Sequence, residues 1–327
     1  MWNADPNAGI SHAERGPILG PMSADHVGTP ENPALSLVVA TTAGWPDYRP
    51  LFEGHRVAVE AVDGEVIVAD GSGRAAPAPD EIGPHATWLA APGEGVFQLR
   101  ALAYPRARAA IVAVTEDHCV LGPEWGRTLL GLHAEHPDAA VIGGVVENAS
   151  RRRLDDWAVF FIGHFRDMPG VGRAQRVALA GLTNVSYKRR ALEGMTPIGD
   201  MGVNEAFHQR ALAASGEILL IDDRLRVEHV QSPGLRGMVM LMWHSARTTA
   251  AMRRRRMSSA AMLRLVAAPV SPLVFGALIA SAVVRRRYAP LPFLVSSPAI
   301  LGFLSVRAVA EVVGYLAGPG DSMRRFL

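Results

Sequence analysis

The chain has 327 residues, of which 49% are hydrophobic and 20% charged, a balance that excludes a disordered or collagen-like chain and allows one sizeable domain with an appendage. Its single cysteine, Cys119, excludes an internal disulfide framework and fits a reducing compartment. The formal charge is only +2, but the cations are all arginine apart from Lys188, and they cluster at Arg151–Arg153, Arg253–Arg256, Arg285–Arg287 and Arg324–Arg325. No aromatic-rich strand or helix-turn-helix pattern accompanies these clusters, so a nucleic-acid partner is not expected.

Residues 1 to about 34 are rich in Gly, Pro, Asn and Asp and lack periodicity. They predict a flexible lead-in, without the basic start and apolar core of a signal peptide. Leu35–Ala40 predicts a compact strand ending in Thr41-Thr42. A helix follows from about Pro46 to Val62, with proline at its start and the turn Asp63-Gly64 after it. Val66–Ala69 is a second strand, ending at Asp70-Gly71-Ser72-Gly73, and Trp88–Ala90 a short third. A helix over Val96–Ala103 leads to the strand Ala109–Val114, which ends abruptly in Thr115-Glu116-Asp117-His118. Pro123–His136 reads as a helix, and Ala140–Val146 as a strand broken by Gly143-Gly144. The aromatic stretch Trp157–Phe165 matches no pattern. Leu182–Tyr187 alternates as a strand, Asn204–Ser215 reads as a helix closed by Gly216, and Leu219–Ile221 and Arg226–Val230 complete the sheet as two strands. Alternating strands and helices predict an α/β fold with a mostly parallel sheet and right-handed crossovers.

Carboxylates at the end of a buried strand lie at the carboxyl edge of a sheet, where open α/β sheets bind ligands. Two adjacent hard oxygen donors there, Glu116 and Asp117, suit a divalent cation carrying phosphates. The same residues also suit a solvated turn or a helix cap.

The order and spacing of several motifs over residues 35–235 resemble a family 2 glycosyltransferase of the A-type fold. Leu35–Thr42 resembles that family's first strand, whose end touches the nucleotide base, and Glu65–Ser72 its second, with Asp70 at the base or ribose. Arg100 matches an arginine on the helix before the metal strand. Thr115-Glu116-Asp117-His118 stands where the family carries its Asp-x-Asp metal motif, and Trp125 follows. Asn184–Arg190 resembles the strand and turn bordering the acceptor pocket. Asn204-Glu205 resembles the helix start that supplies the catalytic base, and Val227-Glu228-His229 the strand that ends in a histidine near the metal.

The resemblance implies a site with Glu205 as general base, Thr41, Asp70, Arg100 and Glu116 toward the nucleotide, Asp117 and His229 on Mg²⁺ or Mn²⁺, and Asn184 on the acceptor side. A metal-held diphosphate leaves readily because the ion stabilises the charge it carries away. Each residue has a structural alternative. Asp70 also suits an Asp-Gly turn, Glu205 a first-turn acid on a helix dipole, His229 a core histidine, and Arg100 a structural ion pair. Thr115 replaces the first metal-motif acid, and Asn204-Glu205 replaces the usual acidic pair. Gln231–Leu235 stands where processive synthases carry Gln-x-x-Arg-Trp, so a single inverting sugar transfer is expected rather than polymerisation.

From residue 236 the chain changes character. Apolar runs over about 263–284 and 291–316 are each long enough to cross a bilayer. The first contains Pro269 and Pro272, and the second contains Arg307 and Glu311, four apart on one helical face, where they can pair. Flanking arginines suit anionic head groups, whether the helices span or lie in the interface. This tail predicts an enzyme at the cytoplasmic face of the cell membrane, with a sugar-nucleotide donor and a lipid-linked or membrane-proximal glycan acceptor. A buried helical subdomain, a catalytically silent scaffold of the same fold and a nucleotidyltransferase remain the alternatives. The last needs a Gly-rich loop after the first strand, for which Thr41–Gly44 is poor.

Overall fold

The computed structural model describes residues 32–256 and 265–325. The expected lead-in therefore lies, up to residue 31, outside the described residues, as do positions 263–264 of the first apolar run. In chain order the elements begin β1 (Leu35–Thr41), α1 (Trp45–Glu60), β2 (Glu65–Asp70), α2 (Pro79–Ile82), β3 (Ala86–Ala90), α3 (Val96–Ala103), β4 (Ile111–Glu116) and β5 (Cys119–Leu121). They continue with α4 (Trp125–Glu135), β6 (Ala139–Asn148), α5 (Leu154–His164), β7 (Gln175–Arg176), β8 (Val185–Lys188), α6 (Arg189–Glu193), α7 (Glu205–Ala214) and β9 (Ile218–His229). The tail supplies α8 (Gly234–Arg256), α9 (Ser271–Arg286), α10 (Pro290–Ala317) and α11 (Ser322–Arg325).

One sheet has the strand order β3-β2-β1-β4-β8-β6-β9-β5, with β7 pairing β9 at the side. The first four positions are parallel, and β1 and β2 are buried along their whole length. Burial on both faces is why these strands are continuous apolar runs rather than alternating ones. β8 is antiparallel to both β4 and β6, while β6 and β9 are parallel, so the sheet is mixed. Register aligns Thr41 with Asp70 and Ala40 with Glu116, placing three strand ends side by side at the carboxyl edge.

Three sequence expectations change. Gly143-Gly144 does not break β6; a Cβ on Gly143 would lie 1.6 Å from the Ala180 carbonyl oxygen, and one on Gly144 2.1 Å from that of Leu225. These glycines let neighbouring backbone lie against the strand. The two strands expected over 219–230 are one strand, β9, whose register with β6 shifts at Gly144/Val145. The aromatic stretch Trp157–Phe165 belongs mostly to α5, with Phe160 and Phe161 fully buried.

Those rings hold the tail. Phe161 lies 5.5 Å, centroid to centroid, from Phe293 of α10, and Phe160 5.8 Å from Tyr288. One core cluster runs from Leu35 and Val39 of the sheet through Phe160 and Phe161 to Met238, Ile279, Ile300 and Phe303. The boundary expected near 235 is thus a change of composition within a shared core. α8 and α10 approach closely at Gly314, where a Cβ would stand 2.4 Å from the Arg247 carbonyl oxygen. Arg254 donates to the carbonyls of Tyr315 and Leu316, satisfying acceptors that the end of α10 leaves open. The expected Arg307–Glu311 pair is not formed. Glu311 is ion-paired with Arg253 of α8, and the Arg307 guanidinium stacks 4.1 Å from the Phe275 ring centroid.

Candidate active site and cation centre

β4 delivers Glu116 to the sheet edge, the chain turns through Asp117-His118, and β5 sets out antiparallel to β9. That pairing puts Cys119 opposite His229, and the Val230 amide donates to the His118 carbonyl at 2.9 Å. Two distant segments are thereby fixed against each other. His118 Nε2 and His229 Nε2 are 2.9 Å apart, and Glu116 Oε2 lies 3.3 Å from the first and 3.2 Å from the second. Bonds of about 2.1 Å to a single ion put neighbouring ligand atoms about 3.0–3.4 Å apart. A carboxylate and two imidazoles at this spacing form a set able to hold one divalent cation. Two imidazoles among the three donors favour a transition-metal ion over Mg²⁺, which prefers oxygen throughout.

Asp117 plays a different part from the one expected of it. Its Oδ2 accepts a 2.6 Å hydrogen bond from the Thr41 hydroxyl, and its Oδ1 lies 2.8 Å from His118 Nδ1. Asp117 and His118 form the turn after β4, which brings His118 Nε2 to Glu116 Oε2 while Asp117 reaches back to Thr41. Asp117 thus orients an imidazole, the usual duty of a carboxylate behind a metal-binding histidine. Burial works against charge on His118, but hydrogen bonds to Asp117 and Glu116 and their charges outweigh it and push its pKa up to about 10. Burial, reinforced by His164, pushes His229 down to about 4. Burial likewise opposes ionisation of Glu116, yet the two histidines hold it well below the usual carboxylate range.

Beside this centre, Arg100 of α3 bridges two carboxylates. Its Nη1 lies 3.3 Å from Glu205 Oε2, and its Nη2 3.9 Å from Glu116 Oε1. Glu205 opens α7, where Asn204 caps the helix by accepting from the Phe207 amide. The Tyr104 hydroxyl donates to Glu205 Oε1 at 2.6 Å. Burial disfavours the Arg100 charge, but Glu205, Tyr104 and Glu116 hold its pKa above the ordinary arginine value. Burial and the neighbouring Glu205 raise the Tyr104 phenol far above its own, so it stays a hydrogen-bond donor.

Two cavities meet here. A larger one of about 690 Å³ is walled by Arg100, Glu116, Asp117, His118 and Glu205. A smaller one of about 260 Å³ lies on the other side, with His164, Asp167 and His229 in its wall. Glu116 and His118 line both.

Glu116, Asp117, Arg100, Glu205 and His229 are therefore gathered as the sequence led us to expect. Thr41 and Asp70 lie behind the wall. Thr41 is fully buried and holds Asp117, and Asp70 is buried with its Oδ1 accepting from the Ser72 amide in a tight turn. Asn184, expected on the acceptor side, lines neither cavity. It is fully buried, takes a hydrogen bond from Trp125 Nε1, and donates to the carbonyls of Val145 and Leu225. Sequence reasoning passed over His118 and Tyr104. The two-residue spacing of Glu116 and His118 was the readable signal for the first; Tyr104 reaches Glu205 only through tertiary packing.

Neither a protein-family model nor a curated protein matches this chain. Among solved structures it is similar to the mannosyltransferase PcManGT from Pyrobaculum calidifontis, in complex with GDP-Man and Mn²⁺, with a TM-score of 0.52, 14% identity, and coverage of 89% of this chain and 88% of that one. It is also similar to S. aureus TarS 1–349, with a TM-score of 0.44, 10% identity, and coverage of 86% and 90%. The mixed sheet, its strand-end site and the first of these likenesses together give the chain a glycosyltransferase-type fold.

Proposed function

We propose that the protein is an inverting, A-type glycosyltransferase that moves one sugar from a nucleoside diphosphate sugar to an acceptor hydroxyl. One observation carries this reading: the triangle of Glu116, His118 and His229 stands beside the Arg100–Glu205 pair at the wall of a cavity large enough for a sugar nucleotide. A divalent ion held by the triangle would neutralise the diphosphate as it leaves. Glu205, paired with Arg100 and oriented by Tyr104, takes the acceptor hydroxyl proton. The freed oxygen forms the new bond to the anomeric carbon, and the bond to the diphosphate breaks with its electron pair on the nucleotide. Arg100 adds positive charge where that negative charge builds.

GDP-mannose with Mn²⁺ is the first donor to test, because the mannosyltransferase of similar fold holds that pair. A thermal-shift screen of sugar nucleotides with and without Mn²⁺ should find at least one that stabilises the protein only with the metal. Glu205→Gln should keep that shift and lose about a hundredfold or more in turnover, the size of a general-base contribution. Absence of any metal-dependent shift, or normal turnover in the variant, rejects the mechanism.

The proposed location is the cytoplasmic face of the cell membrane, with a lipid-linked or membrane-proximal acceptor. Support comes from the tail. By length and composition, the helices over Leu265–Arg286 and Pro290–Ala317 can cross a bilayer. Both pack along the domain and leave an apolar stripe outward, including Val270 just before α9, Leu273 and Leu278 on α9 and Leu291, Leu294 and Leu301 on α10. Exposed Arg285 and Arg287 stand beside that stripe. An apolar face rimmed by arginine fits helices lying in the head-group region better than a spanning hairpin.

A further inference from the structure

The wall of the main cavity holds charged groups that the proposed mechanism does not use. At its tail-facing end stand two arginines from different elements, Arg166 just after α5 and Arg253 on α8. Arg166 lines both cavities. Its guanidinium lies 4.3 Å from the Phe165 ring centroid, and among the described residues it makes no side-chain hydrogen bond or ion pair. Arg253 stands one helical turn beyond Thr249, and both face the cavity. It is ion-paired with Glu311, while its Nε is buried without a hydrogen-bond partner among the described residues. Both guanidinium-bearing residues belong to the wall of the same cavity. Desolvation lowers the Arg166 pKa, Asp167 acts against that, and Arg253 lowers it further.

Like charges brought together at a cavity wall, with donor groups to spare, suit an oxyanion that accepts from both. Glu116, Asp117 and Glu205 stand in the same wall and make their part of it acidic. A ligand reaching both the acids and the arginines would therefore carry a hydroxyl toward the first and an anion toward the second. The arginine end lies against α8 and α10, the helices that bear or support the outward apolar stripe.

Resting on the glycosyltransferase reading above, we propose that Arg166 and Arg253 form an acceptor subsite for the phosphate or diphosphate group of an amphiphilic acceptor, and that Glu311 of α10 positions Arg253 for it. Bound phosphate comes from an amphiphile's head group rather than from free phosphate, because the subsite opens beside the apolar tail. The tail then takes part in acceptor recognition.

The test uses the full chain in detergent with EDTA, so that no cation at Glu116, His118 and His229 recruits the probes. Farnesyl diphosphate and inorganic pyrophosphate are titrated separately. Farnesyl diphosphate should bind, and Arg166→Gln and Arg253→Gln should each weaken it about ten- to a hundredfold, the range for a lost charged hydrogen bond. Glu311→Gln should weaken it less, and adding it to Arg253→Gln should cost nothing more, since Glu311 acts through that arginine. A full additional loss in the double variant would mark Glu311 as merely structural. Pyrophosphate binding as tightly as farnesyl diphosphate overturns the amphiphile as source. Mn²⁺-dependent sugar-nucleotide binding is measured alongside and should be unchanged in every variant. Weakened donor binding in Arg166→Gln or Arg253→Gln assigns these arginines to the donor and overturns the subsite. Donor binding without any farnesyl diphosphate binding rejects the subsite alone, whereas no donor binding by the parent protein rejects the underlying function.

Discussion

Glu116, Asp117 and His118 are consecutive, yet they carry different duties because the turn after β4 brings Glu116 and His118 Nε2 to His229 and gives Asp117 to Thr41 and His118 Nδ1. Removing a ligand and removing its support should therefore differ measurably. By calorimetry, His118→Ala should lose Mn²⁺ binding altogether, while Asp117→Asn should weaken it about ten- to a hundredfold, as loss of a supporting carboxylate does. Equal affinities in the two variants would sink this division. Another buried imidazole sets a pH response. His55 accepts from the Tyr48 hydroxyl and donates to the Cys119 carbonyl, each at 2.7 Å. Burial pushes its pKa down to about 4, although the Cys119 hydrogen bond and Asp117 act against that. An unfolded histidine near 6.5 binds protons over the window from 6.5 to 4 that the folded one refuses. The stability His55 contributes is then complete above about 6.5 and declines as pH falls toward 4. Between pH 7 and 5 the linked loss is about 2 kcal/mol. In urea unfolding with EDTA, His55→Gln should lose less stability over that interval than the parent, by roughly this amount. Residue types at the strand ends were legible because acids after apolar runs stand out. Which acid joins the two histidines was not, since both reach the cavity wall and only the turn gives Asp117 to Thr41 and His118 Nδ1.

Among elements, β1, β2, α3 and α7 follow from apolar runs, helix starts and caps, and their expected bounds lie within a residue or two of those observed. β5 was invisible. Its three residues are too few to show a period, and it exists because β9 pairs with it. It also sets the centre, since its register places His229 opposite Cys119. α5 was unreadable for the opposite reason. It is apolar on several sides because it packs on the sheet and on α10 at once, so no single stripe marks it. The same double packing makes the α8–α10 contact sensitive to volume. With 2.4 Å between a Cβ at Gly314 and the Arg247 carbonyl oxygen, Gly314→Leu must push the helices apart. Overpacking of this kind costs roughly 1–3 kcal/mol, and the variant should show a lower Tm with the strand content of its circular dichroism retained below it. An unchanged Tm would mean that the helices do not touch there.

At the scale of the molecule, the apolar face and the shared core make different demands on the tail. Replacing Leu273, Leu291 and Leu294 together by Gln removes exposed apolar area without touching the core. That variant should stay folded and lose co-sedimentation with anionic vesicles; retained binding would reject the membrane-facing surface. Ending the chain near residue 257 is a harsher change. It uncovers Phe160, Phe161 and Met238 and leaves Arg253 without Glu311. The composition of the tail suggested a detachable anchor, because an apolar helix looks the same whether its partner is lipid or protein. Its packing gives it a further consequence. A protease that cuts within α9 or α10 cannot release an intact soluble domain, because the fragment left behind has lost part of its own interior. Shedding the tail and unmaking the core are the same event, so the folded domain always carries the tail's exposed apolar face.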